Sequence, residues 1–71
     1  MKYMPVLVVN MMEGRTDDQK RSLVENVTNA VCESLKCESH KVKIIINEMP
    51  GNGYAIGGKL MQDTDEKYKK R

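Results

Sequence analysis

The chain has little with which to build a metal or redox centre. One histidine, His40, and two cysteines, Cys32 and Cys37, occur among its 71 residues. Two cysteines close at most one disulfide, and with a single histidine they make no zinc-ligand set. Cys32 falls in an apolar-periodic stretch and Cys37 in the connection after it. They read as a pair of reduced cytosolic thiols. His40, beside a loop and without ligand partners, reads as a surface residue. Met11, Met12, Met49 and Met61 read as packing side chains. No metal and no cofactor is expected.

No apolar run approaches the length that spans a membrane. The N-terminus lacks the long apolar core of a secretion signal. The expected location is the cytoplasm, with no membrane partner. Internal repeats, low-complexity segments and the glycine spacing of a phosphate loop are all missing. Charge of one sign is also scarce. The net charge is +2, and residues 1–58 carry seven basic and seven acidic side chains. The excess sits in a tail ending Lys67, Lys69, Lys70, Arg71, which reads as a solvated end. A near-neutral body argues against a nucleic-acid partner. A ribbon-type DNA binder would follow its first helix with a second, and here a strand follows.

What is present fits one small domain. The segment from Pro5 through Met12 is short, β-branched and mostly apolar, as in a strand covered on both faces. Glu13-Gly14-Arg15 interrupts it as a turn. Thr16 is a good helix N-cap, with Gln19 at the capping-box spacing. Asp17 and Asp18 suit the first turn, where the helix dipole favours negative charge. Leu23, Val24, Val27, Ala30, Val31 and Leu35 then form one stripe at helical period, and the helix is predicted to end near Lys36. Residues 37–40 read as a connection and Val42 to Met49 as a second strand. Pro50-Gly51-Asn52-Gly53 is a turn signal. Residues 54–58 read as a short extended piece or hairpin, with Gly57-Gly58 meeting the backbone needs of a tight turn. The rest reads as a short helix or a frayed tail. The boundaries are an extension at 1–4, a domain at 5–62 and a charged tail at 63–71.

The fold class is α/β, a β-α-β unit with parallel strands and a short C-terminal hairpin. A crossover of about 30 residues suits a parallel, right-handed pair. One helix covers one face of a two-stranded sheet, yet both strands are apolar on both faces. The missing layer is expected to be another copy of the chain, so the unit is completed by oligomerisation.

At this point the sequence resembles the 4-oxalocrotonate tautomerase family. The resemblance runs without a gap from Met4-Pro5-Val6 through Glu13-Gly14-Arg15-Thr16-Asp17-Asp18-Gln19-Lys20 and Val42-Lys43-Ile44-Ile45-Ile46-Asn47-Glu48-Met49 to Gly53-Tyr54-Ala55-Ile56-Gly57-Gly58-Lys59. It implies dimers with a four-stranded sheet and two helices on one face, commonly assembled as trimers of dimers, here a homohexamer. It implies an isomerase that moves a proton within a small anionic keto or enol acid of the 2-hydroxymuconate kind. The base in such proteins is the free amine of an N-terminal proline. A free α-amine has an ordinary pKa of about 7.7–8.0, and a low-dielectric site with nearby cations lowers it.

Carried over residue by residue, Pro5 is the catalytic base and Arg15 grips a substrate carboxylate through two parallel hydrogen bonds. Lys43 stands where the best-known members have an arginine that meets the substrate's 2-oxygen and carboxylate. Tyr54 stands where they have a phenylalanine that walls the site. Lysine keeps the charge and loses the planar fork, whereas tyrosine keeps the ring and adds a hydroxyl. Met1-Lys2-Tyr3-Met4 precede Pro5 in this chain. An internal proline nitrogen is an amide, its lone pair delocalised, and it has no useful basicity. Two outcomes follow. Initiation at Met4 with methionine removal frees Pro5, whereas initiation at Met1 leaves it capped. A capped chain is a non-catalytic or partner subunit of a mixed oligomer. A second enzyme reading, hydration or dehalogenation of a halo-acrylate-type acid, wants a further carboxylate to activate water, with Glu13 and Glu48 as candidates.

Overall fold

The structure, a computed structural model, describes residues 4–64. Most of the expected extension and charged tail therefore lies outside the described residues. The element order is β1 (Val6–Met12), α1 (Asp17–Leu35), a 3-10 turn (Ser39–Lys41), β2 (Lys43–Met49), β3 (Ala55–Ile56), β4 (Lys59–Leu60) and α2 (Met61–Thr64). β1 pairs with β2, and β3 with β4. The β-α-β unit with parallel strands and a C-terminal hairpin is thus the architecture observed. The described chain divides into two compact units, one built from 4–9 and 15–45, the other from 10–14 and 46–64.

Backbone bonds at both ends fix the register of β1 against β2. The Lys43 N–H donates to the Pro5 carbonyl at 2.9 Å, and the Glu13 N–H donates to the Met49 carbonyl at 2.9 Å. In a parallel ladder each residue bonds to the two that flank its opposite number. These bonds therefore set Val6 opposite Lys43, Asn10 opposite Asn47 and Met12 opposite Met49. The Asn47 side chain accordingly reaches across, its Nδ2 donating to Asn10 Oδ1 at 3.1 Å. Side chains alternate in burial along both strands. Leu7, Val9, Ile44 and Ile46 are half-buried, whereas Val6, Val8 and Ile45 are 58%, 53% and 49% exposed.

In the first unit, Thr16 caps α1 through the reciprocal box its sequence promises. Gln19 N–H donates to Thr16 Oγ1 at 3.1 Å, and Thr16 N–H donates to Gln19 Oε1 at 2.9 Å. Leu23, Val24, Val27 and Val31 turn inward with Thr28 and Cys32, whereas Ala30 and Leu35 are exposed. Those last two instead help line an open apolar groove of about 450 Å³, shared with Leu7, Val27, Val31 and Ser34. Lys36, in the left-handed conformation at φ 57°, ends the helix. The second strand begins at Lys43, one residue later than the sequence predicts, because the Val42 N–H closes the 3-10 turn onto the Ser39 carbonyl at 3.1 Å.

In the second unit, the Gly53 N–H closes the predicted turn onto the Pro50 carbonyl at 2.8 Å. Ala55 then pairs with Leu60 and Ile56 with Lys59, leaving a two-residue loop. Gly57 and Gly58 take φ of 60° and 85°. Positive φ at both central positions is the hairpin turn that matches strand twist, and glycine adopts it without a Cβ clash. α2 then tucks back, with Met61 N–H bonding the Tyr54 carbonyl at 2.8 Å and Gln62 N–H the Gly51 carbonyl at 3.0 Å.

Candidate active site

Pro5 sits immediately before β1, half-buried. A proline contributes no N–H to a ladder, so the start of a strand is where it fits. Its carbonyl still joins the sheet through the Lys43 bond. That bond brings two of the four sequence-derived residues together. Lys43 opens β2 beside Pro5, its side chain exposed on the sheet face that carries Val6 and Ile45.

Arg15 is positioned by its neighbours on either side. Gly14 turns the chain at φ 121°, a conformation that strains other residues. Thr16 then anchors the chain in the capping box. Arg15 therefore stands at the N-terminus of a 19-residue helix, whose dipole adds to its positive charge. The acidic residues beside it are engaged elsewhere. Asp18 pairs with Arg21 at 2.6 Å, and Asp17 lies 3.9 Å from Lys20. Among the described residues Arg15 makes no ion pair, and its guanidinium is open to an incoming carboxylate.

Pro5 and Arg15 are not brought together within one chain. The seven residues of β1 separate them, and a strand of that length spans about 20 Å. Tyr54 belongs to the second unit, just before β3, where the residue is 41% exposed and its carbonyl is held by α2. Glu13 and Glu48, the candidate water-activating carboxylates, are both exposed. Among the described residues no group of three or more acidic, cysteine or histidine side chains could hold a metal ion. No described helix is long and apolar enough to cross a membrane.

Two features escape the reading of the sequence. Asn10 and Asn47 form a polar cross-link between outward positions of the two strands; a signal exists, since both fall on outward positions once the register is known. The Oε1 of Gln62 is buried without a hydrogen-bond partner, and no pattern in the sequence points to that.

The tautomerase enzyme family matches this chain over residues 5–64. The 2-hydroxymuconate tautomerase of Bacillus subtilis is 47% identical over 62 residues, covering 87% of this chain and all of that one. Among solved structures, YwhB, a homologue of 4-oxalocrotonate tautomerase, superposes with a TM-score of 0.79 at 47% identity, covering 83% of this chain and 97% of that one. A heterohexamer 4-oxalocrotonate tautomerase from Chloroflexus aurantiacus gives a TM-score of 0.77 at 31% identity, covering 82% and 94% respectively.

Proposed function

We infer the reaction from one premise: the chain belongs to the tautomerase enzyme family. The reaction proposed is proton transfer within a small unsaturated 2-hydroxy or 2-keto acid of the 2-hydroxymuconate class. The base is the amine of Pro5, freed when the residues ahead of it are removed. The observation that carries this reading is the 2.9 Å bond from the Lys43 N–H to the Pro5 carbonyl. It holds the backbone of Lys43 beside Pro5, and in the proposed site the Lys43 ammonium reaches toward the nitrogen that is to act as base. A neighbouring cation favours the neutral amine, and a neutral amine can accept a proton at neutral pH.

In the proposed cycle the amine removes a proton from the substrate and returns it to a carbon further along the conjugated system. Negative charge develops on the 2-oxygen as the dienolate forms. Lys43 stabilises that charge, an interaction stronger in the transition state than in the ground state. Arg15 holds the distal carboxylate by its fork. Tyr54 walls the site.

Since β1 separates Pro5 from Arg15 by about 20 Å, the Arg15 that serves a given Pro5 comes from another copy. The open face carrying Val6, Val8 and Ile45 supports that assembly. A homohexamer, as a trimer of dimers, is the proposed form. A second reading has one specific support, the heterohexameric relative at 31% identity. In it this chain keeps Pro5 capped and serves as the partner of a catalytic subunit.

The test is ketonisation of 2-hydroxymuconate, followed by absorbance, for the chain beginning at Pro5 and the same chain beginning at Met4. Activity in the first and a loss of at least about 100-fold in the second is expected for a general base. Equal rates would contradict a proline base.

A further inference from the structure

The C-terminal end of α1 places its two cysteines side by side. Lys36 adopts the left-handed conformation, and the Cys37 N–H folds back onto the Cys32 carbonyl at 3.3 Å. This is the six-to-one closure of a Schellman-type cap. Such a cap sets the residue after the left-handed position against the one five before it, usually as an apolar contact. Here both members of that contact are cysteines, both half-buried and both free thiols. Partial burial, the Cys37 charge and a hydrogen bond with the Cys37 side chain push the Cys32 thiol above its ordinary value.

We propose that Cys32 and Cys37 form a dithiol site that closes reversibly into an intrachain disulfide on meeting a small-molecule disulfide. This site is separate from the proposed reaction at Pro5 and does not depend on it. The Cys37 thiolate attacks the small disulfide, breaking its S–S bond and releasing one small thiol. The Cys32 thiolate then attacks the Cys37 sulfur of the mixed disulfide and releases the second. The protein loses two protons and two electrons, and the small disulfide is reduced to two thiols. Cys32 holds its proton more tightly than an ordinary thiol, which suits it to the second, intramolecular step. There the high local concentration of the mixed disulfide compensates for a small thiolate fraction.

Closure creates a ring through Lys36 and staples the helix end to the connection that leads to Lys43. The expected consequence is slower amide exchange over residues 36–42.

The experiment incubates the reduced full chain in its native assembly with oxidised glutathione, then alkylates and records intact mass. Expected is a species lighter by about 2 Da, carrying neither glutathione nor alkyl groups and restored by dithiothreitol. Cys32→Ser should instead retain glutathione on Cys37. Three results would overturn the proposal: a wild-type chain that stays fully alkylated, one that keeps a stable glutathione adduct, or one that cross-links between chains. The wild-type mass decides the matter even if the variant does not fold.

Discussion

Arg15 and Lys43 carry equal charge and different geometry, and the difference is measurable. A carboxylate held by a charge-assisted fork contributes roughly 1.5–3 kcal/mol. Arg15→Ala is therefore expected to lower kcat/KM on a 2-hydroxymuconate-type acid by about 10- to 100-fold, mostly through KM, because the distal carboxylate is held equally in ground and transition states. A fall confined to kcat would place Arg15 at the reacting atoms instead. Lys43→Arg keeps the charge beside Pro5 and adds a fork; steady-state kinetics should show activity retained. The proposed base also predicts a pH profile. A protonated amine cannot accept a proton, so kcat/KM should fall toward acid, with a midpoint at or below the ordinary α-amine value of about 7.7–8.0. The candidate residues were legible one at a time from their flanking motifs. Their arrangement was not, because the length of β1 between Pro5 and Arg15 acquires meaning only once both are placed in space.

At the scale of elements, α1 shows how much local chemistry determines. Thr16 and Gln19 form the capping box their spacing implies, and four of the six stripe positions turn inward. Ala30 and Leu35 do not; both line the open apolar groove beside Leu7 that the single chain leaves uncovered. The hairpin was legible as glycine punctuation at Gly57-Gly58, although the pairing of Ala55 with Leu60 rests on conformation that the sequence left open between two forms. The left-handed Lys36 was not legible at all: glycine is the usual residue there, and a lysine gives no warning. That position yields a prediction. A left-handed non-glycine residue costs about 1–2 kcal/mol, part of which glycine gives back as chain entropy. Lys36→Gly should thus stabilise the protein by up to about 1 kcal/mol, read as a higher midpoint in urea. Unchanged or lower stability would mean that Lys36 contributes a contact worth more than the strain.

The whole molecule is governed by what a single chain leaves uncovered. Among the described residues no hydrophobic side chain is fully buried, and Val6, Val8 and Ile45 lie about half-exposed on one sheet face. Both strands are apolar on both faces, and that pattern alone demands a second layer over the sheet. The Asn10–Asn47 bridge adds a polar pair to a face that also carries Lys43, and individual asparagines in a strand announce nothing until the register pairs them. In the proposed assembly a charge placed on this face would meet a dry interface. Ile45→Asp should therefore give a smaller species by sedimentation and abolish activity with it, since in the proposed site Arg15 and Pro5 meet only between copies. An active monomer would refute the shared site.

The amine of Pro5 is the group on which the proposed chemistry turns, and the most direct measurement is the intact mass of the active protein expressed from its native gene. Expected is a mass that begins at Pro5 in the species that turns over substrate. A fully active species whose mass still includes Met1 would leave Pro5 locked in an amide and contradict a proline base.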